Sequence, residues 1–166
     1  MTLIKKIKDK KVNFEFNKEF INVFNKKIKD NDTDFLNKAL KELDPADSAD
    51  IIENLLPENR SKLIELEGFS IDPEIFIELN ESIQAEVFLL LSIESIANIL
   101  RRLESDNALK IIENLDENKK NKVLEKLSPK DRFLLQEGLS YPEDSAARIM
   151  QREFTAIPSN WSVGQT

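Results

Sequence analysis

Residues 91–138 divide into four lines of twelve: LSIESIANILRR (91–102), LESDNALKIIEN (103–114), LDENKKNKVLEK (115–126) and LSPKDRFLLQEG (127–138). Each line opens on leucine, and Leu139 opens the next. Reading backwards in the same phase gives Leu79, a single miss at Glu67, then Leu55 and Leu43. Eight positions after each mark the residue is apolar without exception: Ile51, Leu63, Ile75, Val87, Ile99, Ile111, Val123 and Leu135. One position further on it is apolar from Ile52 through Leu124, and only Gln136 breaks the run. The pentapeptide IIENL stands verbatim at 51–55 and 111–115. A fixed short period of this kind is the mark of a stacked repeat and decides the architecture.

Twelve residues hold about two turns of helix and a tight connection. Helices so short are unstable alone, because nucleation costs more than a few hydrogen bonds return. Stacking lets each bury its Leu, Ile and Val stripe on its neighbours, as α-solenoids do. The punctuation agrees. Asp44-Pro45 and Ser128-Pro129 place a capping side chain before a proline suited to the first helical turn, and Asn80, Ser92 and Asp116 hold the same place in other units. Gly68-Phe69-Ser70, beside the missing leucine, predicts a looser turn over 67–72. The expected fold is all-α: a superhelix of short antiparallel helices, like an armadillo solenoid.

Upstream of the repeat, Phe16, Phe20, Val23, Phe24 and Ile28 fall at helical spacing and predict an amphipathic helix over 17–29. Asn31-Asp32-Thr33-Asp34 supplies turn and cap for a second helix near 34–42. Residues 1–16 are lysine-rich with irregularly placed apolar positions and read as a loosely ordered lead-in. Residues 17–139 form the helical body. Residues 140–166 differ: a turn and cap at 140–145, a helix through Met150, then an extended stretch at 153–158 ended by Pro158. A lone strand has no partner, so the C-terminus is expected to be the opening of a further module.

Composition limits the chemistry. The 166 residues contain no Cys and no His, which removes thiol nucleophiles, sulfur metal sites and the most frequent general base. There is no glycine-rich phosphate loop or serine elbow either, so an enzyme is not expected. No apolar run approaches the roughly 20 residues of a membrane helix, and the opening lacks the features of a secretory signal. The net charge is −7. It is divided unevenly, with eleven lysines against six acidic residues over 1–41 and thirteen basic against twenty-five acidic residues over 42–166. An acidic body does not suit nucleic acid. It suits hard divalent cations, which take oxygen ligands.

Two passages match a family. LDPADSAD (43–50) followed by IIENL resembles the opening repeat of the cytosolic N-terminal domain of MgtE-type magnesium transporters, and the likeness covers about 35–150. YPEDSAARIM (141–150) followed by REFTAIP (152–158) is similar to the junction where that domain meets a pair of cystathionine-synthase-type (CBS) modules. The resemblance implies a right-handed superhelix on the cytoplasmic side of the bacterial inner membrane. Its implied partners are CBS modules and a transmembrane pore domain in one chain, dimeric in the full-length protein and monomeric as this fragment. It also implies regulatory Mg²⁺, bound weakly between this domain and the CBS modules, which favours the closed pore.

Carried over by motif, the resemblance implies two metal ligands here. Glu74 stands for a glutamate that opens the helix before the Leu79 mark. Asp106 stands for the first acid of a Leu-x-x-Asp-Asp-x-Ala-Asp pattern, which reads LESDNALK at 103–110. Asn107 and Lys110 replace the other acids, Ala147 replaces a glycine, and Glu104 is a candidate to compensate. Read from the residues alone, each acid is also explained by its helix start, where capping and the macrodipole favour negative charge. Tyr141 and Trp161 read as packing or interface residues, and Arg101-Arg102 as a solvated face within reach of Glu104. The alternative to ion sensing is an interaction scaffold, since such helical repeats also resemble the middle domain of flagellar motor switch proteins.

Overall fold

In a computed structural model, residues 16–67, 70–150, Ser162 and Gly164 are described. The expected lead-in at 1–16 lies outside them except for Phe16, as do residues 68 and 69 of the loose turn at 67–72 and the extended stretch at 153–158. The described residues form eleven helices and no strand. They are α1 Phe16–Lys29, α2 Thr33–Glu42, α3 Pro45–Asn54, α4 Pro57–Glu67, α5 Pro73–Glu78, α6 Glu81–Leu90, α7 Ile93–Leu100, α8 Ser105–Glu113, α9 Glu117–Lys126, α10 Pro129–Ser140 and α11 Ala146–Ile149.

The twelve-residue period becomes the packing rule. Each helix stacks on its second neighbour, α2 on α4, α3 on α5, α4 on α6, α7 on α9 and α8 on α10, while α1 closes the N-terminal end against α2, α3 and α4. Every residue eight after a leucine mark is buried, from Ile51 to Leu135, and so is every apolar residue that follows one, from Ile52 to Leu124. Gln136, the one polar exception, is exposed. Two adjacent buried positions per unit point a helix at both its stacking partners at once. At the N-terminal end the core is aromatic, with Phe24 set 5.1 Å from Phe20 and 6.0 Å from Phe35 between ring centroids.

The caps sit where the sequence places them. Asp32, Asn80, Ser92, Asp116 and Ser128 each accept a hydrogen bond from the backbone N–H three residues on. Asp44 is the exception. It holds the N-cap position of α3 with no side-chain bond, and its carboxylate is left in water while its carbonyl accepts from the Ser48 N–H at 3.0 Å. Asn31 enters α2 at a φ of 53°, a left-handed conformation that asparagine tolerates. Ser128→Ala removes the acceptor for the Asp131 N–H at 3.2 Å; the expected cost is about 1 kcal/mol, or a Tm lower by about 2–4 °C in a thermal scan.

The corners carry a device not read from the sequence. Arg60, Gln84 and Arg132 all stand five residues after a leucine mark. Each side chain reaches back to C-terminal carbonyls of the preceding helix, which have no partner within that helix. Arg60 Nη1 donates to the Ile52 and Glu53 carbonyls at 3.0 and 3.1 Å. Gln84 Nε2 donates to the Phe76 carbonyl at 2.8 Å, and Arg132 to the Leu124 and Glu125 carbonyls at 2.7 and 2.8 Å. The last carbonyls of a helix lack partners and form its negative pole, so cationic or amide donors suit them.

Two aspartates shift in opposite directions. The Lys27 ammonium and the Phe35 N–H hold the Asp32 carboxyl below the usual carboxylate range. Burial, then the neighbouring charges of Asp44 and Asp50, push Asp47 above it. A depressed carboxyl stabilises the fold above its unfolded value and loses that effect as pH falls through its folded one; a raised carboxyl opposes folding where it is ionised. Asp32→Asn is therefore expected to lower Tm at pH 7 and Asp47→Asn to raise it. Both differences should vanish in scans below the carboxylate range.

Candidate ion-sensing site

The two acids singled out in the sequence each occupy the second position of a helix. Glu74 follows the buried Pro73 in α5, where the N-cap Asp72 accepts from the Glu74 N–H at 3.2 Å. Its own side chain is exposed. A six-residue helix with proline in its first turn presents its second residue outward, because Ile75 and Phe76 take the core positions.

Asp106 is more enclosed. In the first turn of α8 its Oδ1 is buried and accepts no hydrogen bond. Ala108, Leu109, Ile111 and Ile112 anchor the helix on the core, which holds the carboxylate at the edge of the packed layer. Glu104 holds the N-cap position without a side-chain bond. Lys110 Nζ, from the last turn of α8, reaches back and donates to Asn107 Oδ1 at 3.3 Å on the exposed side.

The connections entering the two helices meet. Arg102 Nη1, just before α8, donates to the carbonyl of Ile71, just before α5, at 3.5 Å. The other half of the arginine pair binds elsewhere: Arg101 faces Glu94 at 3.6 Å rather than Glu104, and Glu94 also faces Lys126 of α9 at 3.7 Å. Tyr141 is partly exposed and donates to Glu137 Oε1 at 3.4 Å; Trp161 lies outside the described residues. Among the described residues, no three acidic side chains converge on one point.

Sequence reading singled out Glu74 and Asp106 and read Arg101-Arg102 as a solvated face, but did not foresee the Asp72 cap, the reach of Arg102 to Ile71 or the burial of the Asp106 oxygen. Asp72 was legible as the acid before Pro73. A contact between residues 31 positions apart, as for Arg102 and Ile71, leaves no local trace. One further cavity of about 200 Å³ lies between α6 and the α8–α9 corner, lined among others by Phe88, Leu115, Asp116 and Lys119. Lys119 there donates to the carbonyls of Phe88 and Leu89, serving the end of α6.

Short capped helices stacked at a twelve-residue spacing define a helical-repeat domain, with acidic residues opening α5 and α8. The family model described as the MgtE intracellular N domain matches residues 43–144, and the chain belongs to that family. Among solved structures it is similar to one titled "Crystal structure of the soluble part of a magnesium transporter", with a TM-score of 0.72 at 20% identity. That likeness covers 87% of this chain, and the chain spans 57% of the length of that structure. At this identity the match is one of fold. No functionally curated protein matches the chain. Among the described residues, no helix is long and apolar enough to cross a membrane.

Proposed function

We propose that this chain is the cytosolic regulatory domain of a magnesium transporter, sensing Mg²⁺ through Glu74 and Asp106. The observation that carries the reading is the buried, unpartnered Oδ1 of Asp106. A carboxylate with one enclosed oxygen that lacks a donor is costly to hold as an anion, and a hydrated cation at the solvent side of the same half-buried group offsets that charge without a matching protein donor. Mg²⁺ is reluctant to shed water and is held through one or two carboxylates rather than a full protein cage. Two acids near the meeting connections of α5 and α8 provide half of such a site; CBS modules in the parent chain supply the facing half. Bound ions hold two acidic surfaces together. Their loss lets the surfaces separate, and closure is favoured because the shared site exists only in the closed state. Lys110, in the last turn of α8 and bonded back to Asn107, adds positive charge, which weakens binding at Asp106 relative to an all-acidic turn.

Thermal denaturation tests this reading on the 166-residue chain. Mg²⁺ is expected to raise Tm beyond an ionic-strength-matched K⁺ control, with stabilisation of about 1.4 kcal/mol at ten times the Kd. Glu74→Gln combined with Asp106→Asn should abolish the difference. Equal shifts in Mg²⁺ and K⁺ would favour the scaffold reading, an interaction surface without an ion sensor.

A further inference from the structure

The exit helix α11 is joined to the superhelix by charge rather than by apolar burial. Four residues are far too few to be helical alone, so α11 exists because it is docked. Its one buried residue is Arg148, 9% exposed, whereas Ile149 and Met150 turn outward at 67% and 49%. Arg148 Nη1 donates to the carbonyls of Gly138 and Tyr141 at the end of α10, at 2.8 and 3.3 Å. Its Nε lies 2.5 Å from Oε1 of Glu113, the last residue of α8. The Nε–H is not aimed at that oxygen and makes no hydrogen bond. The guanidinium is thus paired but incompletely satisfied, and its place depends on Glu113, since a buried charge that loses its partner is left uncompensated.

We propose that α11 is a releasable strap, latched by the Arg148–Glu113 pair. Docked, it makes residues 141–150 part of the rigid body at the end of the superhelix. Released, it frees that segment while α1–α10 stay folded, because α11 contributes no apolar side chain to the core. The device stands independently of Mg²⁺ sensing.

Amide hydrogen exchange on the 166-residue chain tests it. The reporters are the N–H groups of Ser145, Arg148 and Met150, which donate to Pro142, Ser145 and Ala146. Glu113→Gln and Arg148→Gln are each expected to speed their exchange about tenfold or more, the factor expected for loss of about 1.4 kcal/mol of docking. The core amides of Ile112 and Leu124 should exchange as before. Unchanged exchange at the three reporters in Glu113→Gln would overturn the proposal, since docking would then not depend on the pair. Faster exchange spread equally over Ile112 and Leu124 would also overturn it, by making Glu113 a determinant of global stability. Circular dichroism of both variants checks that the superhelix is intact.

Discussion

Arg60→Ala is expected to destabilise the domain by about 3–5 kcal/mol, from two helix-end carbonyls left without their donor at about 1–3 kcal/mol each and a cavity in place of the side chain. Arg60 lies in the first turn of α4 and is 4% exposed. Besides the Ile52 and Glu53 carbonyls of α3, it donates through Nε to Glu86 Oε1 of α6 at 3.1 Å. One guanidinium therefore ties three helices, α3, α4 and α6. Its planar fork sends donors in fixed, different directions, which a lysine ammonium cannot reproduce. Removal leaves two carbonyls of the α3 terminus without their donor and a cavity where the side chain stood. Glu86, half-exposed, recovers water and takes little of the loss. Two comparisons separate charge from packing in urea denaturation. Arg60→Met keeps most of the volume and should be milder than alanine. Glu86→Gln keeps both carbonyl bonds and should cost about 1 kcal/mol, the scale of one hydrogen bond to a charged group with a solvated partner.

Phe76→Ala is expected to cost about 3–5 kcal/mol, the usual range for truncating a buried aromatic side chain. The ring is fully buried in α5 and tilts against Phe88 of α6 with centroids 5.6 Å apart. α5 has six residues and so depends on this packing for its existence. The same ring positions the helix start that bears Glu74, so the loss reaches the candidate site as well as the core. Phe133→Ala is the control: its ring is 64% exposed, and a change within about 0.5 kcal/mol is expected, as for ordinary surface substitutions. Midpoints of urea unfolding for the two variants measure the contrast directly.

The architecture was legible because the repeat writes the same instruction many times. Leu63, Val87 and Ile111 recur at one phase, and each is completely buried. Ser92 and Asp116 likewise showed where helices start, since a cap acts within three residues of itself. The corner staples were not legible. Arg60 and Arg132 stand in phase with the repeat, but an arginine among charged neighbours reads as solvated until the preceding helix end is known to lie against it. Arg148 has the same history, read only as part of a family junction and found buried against α8 and α10. Glu74 and Asp106 were singled out by motif and sit at helix starts, as expected of acids in general. What distinguishes Asp106, an oxygen enclosed without a donor, depends on how α8 seats on its neighbours and has no sequence pattern of its own.

The central claim, that the acids opening α5 and α8 face a divalent ion, is tested most directly by an amide NMR titration of residues 1–166 with Mg²⁺ against ionic-strength-matched K⁺. The account predicts shifts confined to the surroundings of Glu74 and Asp106, absent from Glu74→Gln with Asp106→Asn. Shifts no larger than the K⁺ control, or spread evenly over the acidic surface, would contradict it.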